Sequence, residues 1–290
     1  MLTPFYAYLR FEKRFSEHTI TAYTQDLNQF LEYSPISHLS EFNELTTMYI
    51  RGWMVSLIEK GYDNKSVNRK LATLRTLYKW LKQASYVTNN PVQRISGPKT
   101  EKRLPSFARE QELNPQKTAQ LFDASFNGKR DELMLEIFYQ TGIRLSELIG
   151  LTVDSVQQQT IKVLGKRNKE RIIPISQNLS EKIQYYLTLR APLAKTNNFF
   201  ILDNGKPLYA VFVYRKIHAL LGSVSHLDKR SPHVLRHTFA TLMLNHGAGL
   251  ETLQALLGHA SLAATQVYTH NSFAQINQIY RGAHPRMKRA

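Results

Sequence analysis

Residues 231–242 read SPHVLRHTFATL and residues 256–270 read LLGHASLAATQVYTH, and the fold of the chain's second half turns on these two strings. Pro232 suits the first turn of a helix, where a missing N–H costs nothing. Gly247 and Gly258 follow successive apolar stretches as helix stops. The stretch from Ser231 to His270 therefore reads as consecutive short helices carrying His233, Arg236, His259 and Tyr268. His233 and Arg236 stand three apart and share a helix face, and a cation beside a titratable imidazole suits an anion. Tyr268 is the candidate nucleophile. Taken singly, each has an ordinary reading as a packed residue among Leu235, Phe239, Leu242 and Met243. The combination gives them weight, because a second arginine lies upstream in residues 141–148, TGIRLSEL, where Arg144 follows the helix stop Gly142. Glu147, three residues on, can fix that arginine's orientation.

The chain's 290 residues suffice for two domains with proper cores. Its formal net charge is +16, and the excess is distributed: residues 1–100 carry 13 Lys and Arg against 8 Asp and Glu, the remainder 25 against 14. Such a balance points to an acidic polymer, nucleic acid first and an anionic membrane surface second. With no cysteine there is no disulfide, thiolate metal site or cysteine nucleophile. The histidines lack metal-ligand spacing, so no bound metal is expected. No apolar run reaches the roughly 18–20 residues that span a bilayer, and no signal peptide precedes Leu2. The expectation is a soluble intracellular protein without a membrane partner.

The first hundred residues read as four helices, over residues 3–14, 16–33, 46–60 and 64–83. The first offers Phe5, Tyr8, Leu9 and Phe11 to a core, with Thr3 as its cap. The second repeats Ile20, Tyr23, Leu27, Phe30 and Leu31 at helical spacing. In the fourth, Val67, Leu71, Leu74, Tyr78 and Leu81 form the buried stripe, opposite Lys65, Asn68, Arg69, Arg75 and Lys79. Residues 91–113 have the signature of a linker: Pro91, Pro98 and Pro105 among basic residues. Beyond it the spacing predicts helices over 131–140, 146–151, 180–189, 209–221 and 271–280. Strands are expected at 159–163 and 171–175, joined by the turn GKRNKE, with a further short strand at 199–202. The fold class is mainly α with one small antiparallel β-sheet.

Arg144 in TGIRLSEL, Gly165-Lys166 in a basic hairpin, His233-x-x-Arg236, Leu257-Gly-His259 and the following Tyr268 together resemble the tyrosine recombinase, or phage integrase, family. The resemblance covers almost the whole chain. It implies an N-terminal helical core-binding (SAM-like) domain, a four-helix DNA-binding bundle over residues 1–90. It implies a linker over 91–113 and an α/β catalytic domain over 114–290 that ends in an exchange helix. By the same resemblance Lys65, Asn68, Arg69 and Arg75 on the fourth helix, with Thr19 and Tyr23 on the second, are DNA contacts.

The chemistry follows from charge. Attack on a DNA phosphodiester puts extra negative charge on the non-bridging oxygens, and the forks of Arg144 and Arg236 match those oxygens. A phenol such as Tyr268 is a fair nucleophile once deprotonated and a good leaving group in reverse. His233 suits the general base, since imidazole titrates near neutral pH. The resemblance assigns Lys166 as general acid toward the leaving 5′ oxygen and His259 as a hydrogen-bond donor to the phosphate. The family's hairpin commonly reads GKGNKER, whereas Arg167 stands here at its second glycine, so Lys169 stays open as the alternative acid.

The resemblance further implies a 3′-phosphotyrosine intermediate formed without ATP, metal or other cofactor. Its partners are double-stranded DNA with paired recombination half-sites, three further recombinase copies or paralogues in a tetramer on DNA, and a DNA translocase as activator. Compact size and the strings above look most like the bacterial Xer group, which acts in chromosome dimer resolution, and this implies a cytoplasmic, nucleoid-associated protein. Two alternatives share the chemistry: the integrase of a mobile element, and a type IB topoisomerase-like enzyme.

Overall fold

The structure, a computed structural model, describes residues 1–100, 106–165, 169–258 and 270–287. The chain divides into two units, Met1–Arg103 and Leu104–Ala290.

The first unit is a helical bundle. Helix α1 (Thr3–Ala7) runs on as a π turn (Tyr8–Glu12) and is followed by α2 (Glu17–Tyr33), α3 (Thr47–Glu59) and α4 (Asn64–Gln83). Three starts are capped as their sequences dictate: Ser16, Thr46 and Asp63 accept the N–H groups of Thr19, Tyr49 and Ser66. The first is not: Leu2 occupies the cap position of α1 and Thr3 lies inside it. Phe11, expected in the core, is 73% exposed, because the wider π turn rotates it off the face that buries Phe5 and Leu9.

All five expected stripe residues of α4 are buried, and Lys70 is buried beside them. Its ammonium bonds the buried Asp26 carboxylate at 2.8 Å, and Thr73 Oγ1 donates to the same group at 3.0 Å. Val92 and Ile95 complete this core, whereas Ala108 and Leu113 belong to that of the second unit. Both ends of the stretch read as a linker are therefore packed.

The second unit is built round α6 (Phe126–Thr141), preceded by the short α5 (Pro115–Ala119). Residues 130–141 are all buried. Ser125 caps α6 by accepting the Gly128 N–H, so the helix starts five residues before the sequence reading placed it. The first turn, Phe126-Asn-Gly-Lys129, carries too little apolar periodicity to announce itself. Gly142 ends the helix in the left-handed region at φ 59°. Helix α7 (Leu145–Ile149) follows, then a hairpin of β1 (Thr160–Leu164) and β2 (Glu170–Pro174), antiparallel in the register Thr160↔Pro174. Residues 199–202 form no strand, only an isolated bridge from Ile201 to Pro207.

Helices α8 (Gln177–Arg190), α9 (Ala210–Val224), α10 (Pro232–Asn245), α11 (Leu250–Leu257) and α12 (His270–Ala283) complete the unit, with α8 and α10 packed on α6. From Ile276 onward α12 covers its own domain. Tyr280 is fully buried and donates its hydroxyl to Gln140 O at 2.8 Å, and the buried His284 bonds Tyr139 O at 3.2 Å. Both acceptors lie in the last turn of α6, whose carbonyls have no partner within the helix. Among the described residues no helix is long and apolar enough to cross a membrane.

Candidate active site

The site is assembled on helix ends. Helix α11 stops, like α6, at a left-handed glycine, Gly258 at φ 63°. Terminal carbonyls of a helix carry partial negative charge and attract cations. Arginines meet three in succession: Arg171 Nε donates to Leu256 O at 2.7 Å, Arg236 Nη2 to Leu257 O at 2.7 Å, and Arg144 Nη2 lies 3.5 Å from Gly258 O. Arg236, in the second turn of α10, also donates through Nη1 to Gly142 O at 2.7 Å. It thereby ties the end of α6 to the end of α11. Burial, and then the Arg144 charge, push its guanidinium down to about 10, which still leaves it cationic at neutral pH.

Arg144 starts α7, and Glu147 sits one turn on and caps it from within the helix. The Glu147 carboxylate accepts the Arg144 N–H at 2.7 Å and Arg144 Nη1 at 2.7 Å. Arg171 Nη1 and Nη2 approach the same carboxylate at 3.0 and 2.8 Å. Burial alone would raise the carboxyl, but Arg171 and then Arg144 outweigh it and hold the group down at about 2. One buried anion thus fixes two cations, and with Arg236 the cluster stays net positive, as an anion site requires.

His233 is exposed on α10, three residues before Arg236, with its ring 4.5 Å from that of His237. Burial, and then the nearby His233 and Arg236, keep His237 below the usual imidazole range. Lys166, His259 and Tyr268 lie outside the described residues. Their described neighbours Gly165 and Gly258 flank the arginine cluster: a Cβ on Gly165 would stand 3.5 Å from Arg171 Nη1, and one on Gly258 3.1 Å from it. Lys169 is exposed, and its carbonyl closes the hairpin by accepting the Gly165 N–H at 2.8 Å.

The expected DNA contacts of the bundle divide by their partners. Lys65 is exposed. Asn68 donates to Pro98 O at 2.8 Å, and Arg75 donates to Ile95 O, so both hold the chain that leaves the bundle, where prolines supply no N–H of their own. Arg69 pairs with Asp26. Tyr23 is half-buried with its ring edge-on to Phe15, and Thr19 bonds Ser16.

Arg171 was missed as a site residue and read only as the start of a strand. A signal existed: alternation along β2 puts Arg171 on the same face as the buried Ile173, and an inward cation in a strand demands a buried carboxylate.

Residues 111–275 match the Phage integrase family, and residues 2–85 match the phage integrase N-terminal SAM-like domain. The tyrosine recombinase XerC of Staphylococcus carnosus is 38% identical over 290 residues, covering 97% of this chain and 96% of that protein.

The chain belongs to the phage integrase family.

A second tyrosine recombinase of the family, XerC of Bacillus subtilis, is 34% identical and covers 97% of this chain and 95% of itself. Among solved structures, the XerH site-specific recombinase bound to palindromic difH substrate aligns with a TM-score of 0.72 at 23% identity, over 92% of this chain and 77% of that one. A lambda integrase dimer bound to a COC′ core site aligns at 0.71 with 17% identity, over 92% and 97%. At such identities the likeness speaks for the fold, a helical SAM-like domain and a mainly helical catalytic domain with a small antiparallel sheet. As a family member, the chain is a site-specific tyrosine recombinase.

Proposed function

We propose that this recombinase cleaves duplex DNA with Tyr268 inside a cage that Arg144 and Arg236 form round the scissile phosphate. The observation that carries the reading is the anchoring of the Arg236 guanidinium on the ends of α6 and α11, with the Arg144 guanidinium beside it fixed by the buried Glu147. Donors held so before the reaction are worth far more than mobile ones, since no reorganisation is needed when charge develops.

In the step proposed, the Tyr268 oxygen forms a bond to phosphorus and the bond from phosphorus to the 5′ oxygen breaks. The phenol proton passes to His233, and Lys166 protonates the departing 5′ oxygen, with Lys169 as the alternative acid. His259 donates to a non-bridging oxygen. The freed 5′ hydroxyl then attacks the partner strand's phosphotyrosine, so the bond energy is conserved. Lys65, Arg69 and the rest of that face of the bundle contact the DNA, with Asn68 and Arg75 acting through the segment they hold.

The assembly proposed is a tetramer on two paired sites, homomeric or shared with a paralogue, acting in chromosome dimer resolution in the cytoplasm, with a DNA translocase as activator. Names of the full-length relatives support this role, and the solved lambda integrase tetramer bound to a Holliday junction is a fold-level precedent. Exchange of the terminal helix between neighbours would require Tyr280 and His284 to leave the end of α6.

The test is a nicked duplex bearing the host's dimer-resolution site, incubated with protein and resolved on a denaturing gel. Wild type yields a slow covalent adduct, and Tyr268→Phe binds the duplex yet yields none. An adduct persisting in that variant refutes the assignment of the nucleophile.

A further inference from the structure

Every nitrogen of the Arg171 guanidinium is engaged: Nε with Leu256 O, and Nη1 and Nη2 with the two oxygens of Glu147. Glu147, 7% exposed, consequently accepts four hydrogen bonds, two from Arg144 and two from Arg171. A carboxylate offers about four acceptor sites, so this one is saturated. Without Arg171 a buried anion would retain two open sites directly beside the Arg144 fork. A guanidinium chelates a carboxylate with two parallel hydrogen bonds whenever both oxygens are open to it. Arg144 would then turn its second nitrogen from Gly258 O onto Glu147, in competition with any phosphate.

We propose that Arg171 is a positioning residue of strand transfer: by saturating Glu147 it leaves the Arg144 fork to the scissile phosphate. Its contact with Leu256 O fixes the end of α11 in the same act, two residues before Gly258 and three before His259. The inference rests on the reading of Arg144 as a phosphate ligand, and it assigns a role to a strand residue outside the arginine, lysine, histidine and tyrosine set.

The experiment measures adduct formation on the nicked duplex, DNA affinity by gel shift, and folding by circular dichroism. It compares wild type, Arg171→Ala, Arg171→Lys and the double variant Arg171→Ala/Glu147→Gln. Arg171→Ala binds DNA within about threefold of wild type but cleaves about 10²-fold more slowly, the loss typical of one misplaced transition-state donor. Arg171→Lys, which keeps the charge and loses the fork, falls between. The decisive arm is the double variant. Glutamine keeps one oxygen to accept from Arg144 but no longer draws its whole fork as an anion, so adding Glu147→Gln speeds cleavage at least about tenfold over Arg171→Ala alone, the non-additive coupling that residues of one hydrogen-bond network show. If Arg171→Ala does not fold, Arg171→Lys with and without Glu147→Gln carries the same comparison.

Cleavage by Arg171→Ala within about threefold of wild type overturns the inference, and so does a double variant no faster than the single one. Failure of wild type itself to form an adduct refutes the proposed chemistry instead.

Discussion

Gly142→Ala separates two physical costs at the hinge of the site. Gly142 has φ +59°, and a Cβ there would stand 2.5 Å from Phe239 Cδ1 and 2.9 Å from Leu257 Cδ2. Holding alanine in the left-handed region costs about 1–2 kcal/mol. Phe239 is fully buried on α10 and cannot swing into solvent, so overpacking adds about 1–3 kcal/mol. Gly247 is the control, with φ +86° and nothing within 4 Å of its Cβ. Gly247→Ala thus carries the conformational cost alone, and the difference between the two variants reports the clash. The assay is denaturant unfolding followed by far-ultraviolet circular dichroism. The tryptophans, Trp53 and Trp80, both lie in the first unit, so circular dichroism rather than fluorescence follows the second unit's transition. Gly142→Ala also shifts the carbonyl that accepts Arg236 Nη1, so adduct formation falls with stability. Equal destabilisation by the two substitutions, within about 0.5 kcal/mol, would refute the packing argument, since surface-like changes lie in that range.

Two further outcomes follow from buried charge. Burial pushes the His284 imidazole down to about 4. The unfolded chain takes up that proton near pH 6.5 and the folded one only near 4, so stability falls as pH drops through that window. The loss amounts to about 2 kcal/mol between pH 7 and pH 5, and His284→Phe, measured by urea unfolding at both values, removes this share of the slope. In the bundle, Asp26→Ala takes the carboxylate from the ammonium of Lys70, which is 2% exposed and keeps only the neutral Gln29 as acceptor among the described residues, and lowers stability by about 3–5 kcal/mol by tryptophan fluorescence. Pairing Asp26→Leu with Lys70→Met restores most of it.

Local pattern carried most of the fold. The start of α2 at Ser16, the apolar stripe of α4, and the stops at Gly142 and Gly258 are short-range events within a turn or two, and they can be read from neighbours along the chain. What escaped depended on distant partners or on backbone irregularity. Phe11 turned outward because of a π turn that no residue type marks. Asn68 and Arg75 read as groove-facing side chains, yet they hold the carbonyls of Pro98 and Ile95, residues 20 to 30 positions away.

Sequence alone determined the helical class of both units and the basic charge that suits an acidic polymer, and it supplied the residues proposed for the chemistry, because each is a property of composition or of spacing within one element. Tertiary structure decided which carbonyls face which guanidiniums. The ends of α6 and α11 meet Arg236, and Arg171 crosses from β2 to complete Glu147, over separations of 94 and 24 residues. A helix end needs a cation and a buried carboxylate needs donors, but only packing chooses the partner that supplies them.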